Sequence, residues 1–157
     1  MRRAAAIAGA VVAGLACSAA CSGDDGEAGT VVESGGIAIL DAWVRPTPPG
    51  SDNAAFYVTI ENRDAPDDRL IGATSDRCMV VTPHVTELDA DDVATMRNAP
   101  GDLLDLAEGQ RVAMEPLGLH LMCLGLDAVL TTEDEPAVTL RFAEREPLTV
   151  RLVVEQR

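Results

Sequence analysis

The chain has 157 residues, a formal net charge of −14 and twelve basic residues that are all arginine. A surface this acidic repels nucleic acid and anionic lipid head groups and attracts cations and basic protein surfaces, so no nucleic-acid partner is expected. Once residues 1–20 are set aside as a leader, the charge becomes −16 and 137 residues remain, the size of one domain with one core.

The leader comes first in chain order. Arg2 and Arg3 supply a positive n-region, and Ala4 to Leu15 form an uncharged run too short and too alanine-rich for a permanent membrane span. The stretch Ala19-Ala20-Cys21-Ser22-Gly23-Asp24-Asp25 has small residues before a cysteine and a polar segment after it. It resembles a bacterial lipoprotein signal with Cys21 acylated, although Ser18 stands where leucine is usual. The expected location is the outer face of the cell membrane, held by the lipid anchor alone. Ordinary cleavage near Ala20, giving a soluble secreted or periplasmic protein, is the alternative, and both readings place the domain outside the cytoplasm. Residues 21–35, rich in glycine, serine and acid, read as a flexible tether, leaving 36–157 as the domain.

Short alternating segments follow, with turn residues between them. Strands are expected over Ile37 to Trp43, around Phe56-Val58-Ile60, and over Leu70 to Thr74, Met79 to Glu87, Val93 to Arg97, Arg111 to Met114 and Leu119 to Leu126. Val138-Leu140-Phe142 and Leu148-Val150-Leu152-Val154 continue the same period of two. Prolines lie at or near the ends of these segments, where a missing amide donor is tolerated. No stretch sustains a helical period, so the expected fold is all-β, an antiparallel Greek-key β-sandwich.

Two cysteines remain in the domain, Cys78 and Cys123. In an oxidising compartment an isolated pair is more often a structural disulfide than a site, and closing that loop stabilises a fold by roughly 3 to 5 kcal/mol. A metal-binding role for one of them is the minor alternative.

The chain's only histidines, His84 and His120, fall into one pattern with methionine: His84, Met96 twelve residues on, then His120-Leu121-Met122. Imidazole and thioether are neutral, soft donors that suit Cu(I), whereas zinc or calcium sites call for thiolates or carboxylates. His120 and Met122, two apart on a strand, share one face while Leu119, Leu121 and Cys123 point to the other. The apolar set must be buried, which puts the two ligands on the opposite surface or at the rim. Individually, a lone histidine or methionine is more often a surface group or core filler, and Met114 reads as core. Two of the four methionines downstream of the leader join both histidines in the pattern, which favours a site.

A blue-copper carrier needs a cysteine ligand ahead of its histidine and methionine, and Cys123 follows both. No histidine lies in a nucleophile pattern, so an enzyme is not expected. The rival reading is a lipid-anchored interaction module without a metal.

With these residues placed, the chain resembles the periplasmic copper chaperones of the PCu(A)C family, whose signature is a histidine, a methionine about a dozen residues later and a His-x-Met beyond. Asp41-Ala42-Trp43-Val44-Arg45-Pro46, Asn53 to Asn62, Asp68 to Ala73 and Pro116 to Met122 look like successive family segments, covering about Ile37 to Val154. The resemblance implies a cupredoxin-like sandwich binding Cu(I) at a surface-exposed site of His84, Met96, His120 and Met122. It further implies delivery toward the binuclear copper centre of cytochrome c oxidase subunit II, sometimes alongside Sco-type proteins. Val85 and Leu117 depart from the pattern, Leu117 replacing one glycine of the usual pair, and Met96 stands slightly farther from His120 than is usual. The histidine- and methionine-rich tail that some members use for Cu(II) has no counterpart before Arg157, so no second copper site is expected.

Overall fold

The computed structural model describes residues 32–99 and 104–157. The leader, Cys21 and most of the tether lie outside them. The described residues hold β1 (Val32–Ser34), β2 (Ile37–Val44), β3 (Asn53–Asn62), β4 (Asp68–Thr74), β5 (Cys78–Leu88), β6 (Ala94–Asn98), β7 (Leu104–Leu106), β8 (Arg111–Ala113), β9 (Leu119–Leu126), β10 (Ala137–Phe142), β11 (Leu148–Arg151) and β12 (Val153–Val154). The fold is all-β and cupredoxin-like. Its strands form one continuous sheet in the order β1-β2-β3-β9-β5-β4-β10-β11, with every pairing antiparallel except β12 on β2.

That exception brings the sheet close to a barrel. Leu152 leaves the β10–β11 ladder by donating to the carbonyl of Pro136 at 2.8 Å, and the next two residues pair with Trp43 and Val44 of β2. The far edge of the sheet thereby returns to its beginning, which hides edge groups that would otherwise stay unpaired. Alternate residues point inward: Phe56, Val58 and Ile60 of β3, Leu121 and Cys123 of β9, Val138 and Leu140 of β10 are all buried.

Val32–Ser34 was expected in the tether, and it is a strand. Gly35 and Gly36, at φ of 55° and 80°, form the two-residue turn that returns it onto β2. A Cβ on Gly36 would lie 2.9 Å from the amide nitrogen of Ala65, so the turn needs glycine there for packing as well as for φ. The ordered domain therefore includes Val32.

Two buried polar side chains, Asn62 and Asp68, are answered by several partners each. The Asn62 amide donates to the carbonyls of Leu106 (3.0 Å) and Pro66 (3.3 Å) and accepts from Ala65 N–H (3.0 Å). The Asp68 carboxylate accepts from the backbone of Arg69 (2.7 Å) and Glu144 (3.1 Å) and pairs with Arg145. Burial pushes the Asp68 pKa up, but the Arg145 bond and the two amides outweigh it, so the carboxyl sits below its usual range.

Candidate metal centre

The site is a product of register. On β5 and β9, His84 faces His120 and Thr82 faces Met122, while Val81 faces Cys123 on the other side of the sheet. Directly paired residues share a face, so His84, His120, Thr82 and Met122 all lie on the outer face, away from the core cysteine. β6 extends the array: Asn98 pairs with His84 and Met96 with Thr86, again on the outer face. From β6 to β9 one row reads Asn98, His84, His120; Met122 lies one row to one side and Met96 one row to the other.

The structure thus brings the two imidazoles side by side, with ring centroids 6.1 Å apart and planes at 63°. Met122 adjoins them, half-buried between Ala55 and Thr82. Met96 shares the face but stands on the outermost strand of the array, half-exposed at 50%.

His120 does not lie on the surface, as the sequence reading expects; only 2% of it is exposed. The cause is an aromatic layer. Tyr57 of β3 sits with its ring 6.2 Å from that of His120 and stacks at 4.3 Å on Trp43 of β2. The Trp43 ring is covered in turn by the Arg157 guanidinium at 4.9 Å, which is fixed by an ion pair with Asp41 at 2.6 Å. Asp41, at φ 49°, is the extra residue where the β2–β3 register shifts, and that bulge positions both Asp41 and Trp43.

The hydrogen-bond pattern of the imidazoles is asymmetric. His120 Nδ1 donates to the carbonyl of Gly118 at 3.0 Å, and His84 Nε2 donates to Asn98 Oδ1 at 2.5 Å. Each ring keeps one bare nitrogen. Among the described residues the buried side-chain polar atoms without a partner are His84 Nδ1, His120 Nε2 and Thr82 Oγ1. All three belong to this one face. A buried acceptor left unpaired costs about 1 to 3 kcal/mol, so this clustering marks a place built to meet an electrophile. Burial depresses the pKa of His120, with the Gly118 bond opposing and the neighbouring His84 adding to the effect, so its imidazole stays neutral and its lone pair available.

The donors gathered here are imidazole and thioether rather than thiolate. No group of three or more His, Cys, Asp or Glu able to hold a metal occurs among the described residues. Cys78 and Cys123 are joined in a disulfide, with Cα atoms 5.5 Å apart, and Cys123 lies on the inward face. Neither sulfur is free to act as a thiolate ligand. Two imidazole nitrogens and methionine sulfur, with the Thr82 hydroxyl beside them, gather on this face, and the nitrogen and sulfur donors suit a soft monovalent ion.

Sequence reasoning missed Tyr57, Trp43, Thr82 and Asn98. The last was reachable, because a β5–β6 hairpin folded about Asp89 to Asp92 sets Asn98 against His84. Leu117, which departs from the usual glycine, adopts φ 61° in the turn ahead of β9. The leucine keeps the left-handed backbone that a glycine would supply, so the approach to His120 is preserved.

Residues 37–154 match the family model described as "Putative lipoprotein LpqE-like". A putative lipoprotein of Leifsonia xyli subsp. xyli is 27% identical over 123 residues, which cover 78% of this chain and 72% of that protein. Among solved structures, the copper-bound PCuAC domain from PmoF2 superposes with a TM-score of 0.66 at 24% identity, covering 82% of this chain and 99% of that domain. The apo form of the same domain gives 0.63 at 25% identity, with coverages of 80% and 94%. Cu(I)-DR1885 from Deinococcus radiodurans gives 0.55 at 24% identity, with coverages of 73% and 74%. With a family model spanning three quarters of its length, the chain belongs to the LpqE-like family of putative lipoproteins, within the wider PCuAC family.

Proposed function

We propose that this protein is an extracytoplasmic copper chaperone that carries one Cu(I) on the outer face of its β5–β9 ladder. His84 Nδ1 and His120 Nε2 supply the nitrogen donors, Met122 the adjoining thioether and Met96 a fourth, outermost donor. Cys21 carries the lipid that tethers the domain to the outer face of the cell membrane. The acceptor is the binuclear copper centre of cytochrome c oxidase, reached through subunit II directly or through a Sco-type protein.

The observation that carries this reading is the pair of adjacent imidazoles, each with one ring nitrogen buried and unpartnered. The similarity to copper-bound PCuAC domains supports it independently. Chemically, a neutral donor set takes up a monovalent cation without releasing protons from its ligands and leaves a single positive charge, which the acidic surface tolerates. Thioether ligation is weak bond by bond, so an incoming ligand displaces the donors stepwise. The negative charge draws a basic acceptor surface toward the site, an attraction that salt screens.

An anaerobic Cu(I) titration against a competing chelator tests the reading. One equivalent is expected to bind. His120→Ala should weaken binding by more than the roughly 10- to 100-fold that loss of an outer hydrogen-bond partner costs a metal site. Unchanged affinity in that variant would leave an interaction module without a metal as the better account.

A further inference from the structure

The geometry points to Asn98 as the residue that selects Nδ1 of His84 as the metal-donating nitrogen, a positioning role that rests on the Cu(I) reading above. A neutral imidazole has one N–H and one lone pair, and the group facing the N–H decides which nitrogen donates to a metal. Asn98 and His84 are directly opposed on β6 and β5, so their contact is set by strand register. The Asn98 Oδ1 lies 2.5 Å from His84 Nε2. An amide oxygen only accepts, so Nε2 holds the proton and the lone pair falls on Nδ1, the buried atom without a partner.

His120 is held the opposite way. The Gly118 carbonyl takes its Nδ1–H and leaves Nε2 bare. The two rings therefore leave different nitrogens bare, Nδ1 on His84 and Nε2 on His120, and in each an oxygen holds the other nitrogen. Among the described residues nothing else accounts for Asn98. All five residues of β6 are exposed, and asparagine is a poor strand former, so neither core packing nor strand propensity asks for it there. Without its oxygen, neutral His84 exchanges its proton between the two nitrogens and its ring is free to turn, and copper binding must then order it.

The test compares the wild-type chain with Asn98→Leu and Asn98→Asp. Long-range proton–nitrogen spectra of the copper-free protein near pH 8 should show His84 Nε2 protonated and Nδ1 bare, with Nδ1 the nitrogen whose resonance moves when Cu(I) is added. Asn98→Leu should give mixed His84 tautomers and about 10-fold weaker Cu(I) binding, while Asn98→Asp, which keeps an acceptor, should restore both. A dispersed amide spectrum confirms that each variant is folded. The proposal is overturned if His84 Nε2 proves to be the bare nitrogen, or if Asn98→Leu binds Cu(I) within twofold of the wild type. Should the wild-type chain bind no Cu(I), the chaperone reading fails, and the tautomer of the copper-free protein still decides whether Asn98 orients the ring.

Discussion

The disulfide allows a quantitative test of how the β5–β9 ladder is held. Cys78 opens β5, Cys123 lies within β9, and their bond closes a sequence separation of 45 residues. For a loop of that length the chain-entropy relation gives about 4 kcal/mol of stabilisation at 25 °C. Replacing both cysteines with alanine removes this term and also some buried sulfur contact, since Cys123 is fully buried. Urea unfolding of the soluble domain, followed by Trp43 fluorescence, measures the loss. At a slope of about 1.5 kcal/mol/M, the midpoint should fall by roughly 2 to 3 M. The His84–His120 register is held independently by seven β5–β9 pairs between Cys78↔Leu126 and Val85↔Leu119. Below the transition, the variant should therefore keep its Cu(I) affinity within a few-fold. A midpoint shift under about 0.5 M would refute the entropic reasoning, and loss of copper binding by a folded variant would refute the claim that pairing alone sets the site.

Two further expectations follow from local strain and buried charge. Leu117 is 65% exposed at φ 61°, a backbone that costs a non-glycine residue about 1 to 2 kcal/mol. After the extra unfolded-state entropy of glycine, Leu117→Gly should raise stability by about 0.5 to 1 kcal/mol and leave Cu(I) affinity unchanged; a lower urea midpoint would contradict this. Asp68 is a buried acid whose folded pKa is depressed. Its contribution is present above the ordinary carboxylate value and is lost as pH falls through the lower folded value. Asp68→Asn should therefore cost about 2 kcal/mol at pH 7 and less at pH 2.5, and an equal cost at both would show that ionisation of Asp68 is not what stabilises the fold.

Much of the fold was legible because its strands alternate cleanly. Phe56-Val58-Ile60 and Val138-Leu140-Phe142 point inward as their period of two requires, and Met114 is core. Two three-residue strands, Val32–Ser34 and Leu104–Leu106, were not legible, because so few residues display no period, whereas Arg111–Ala113 falls within the expected Arg111 to Met114 segment. The terminal run keeps Leu148, Val150, Leu152 and Val154 in one period of two, and Val153, apolar where a polar residue is due, is the one departure at the point where the chain passes from β10 to β2. On the site, the shared face of His120 and Met122 follows from i, i+2 spacing. The directness of the His84–His120 pairing does not, since it depends on register between strands far apart in sequence. The burial of His120 depends on Tyr57 and Trp43 from two other strands, a tertiary fact that no local pattern around His120 carries.

The burial difference between the donors bears on how an ion would leave. β9 lies between β3 and β5, and its His120 is capped by an aromatic pair, which makes it the rigid end of the site. β6 pairs with β5 alone, all its residues are exposed, and Met96 is half in solvent. On the chaperone reading an acceptor ligand approaches from the β6 side, because Tyr57 covers His120 on the β3 side. On the proposed reading Met96 gives way first, His84 follows as its hairpin yields, and His120 releases last. This order keeps at least one nitrogen on the ion until the acceptor holds it. Met96→Ala should accordingly change the rate of transfer more than the affinity, whereas loss of His120 should act mainly on affinity.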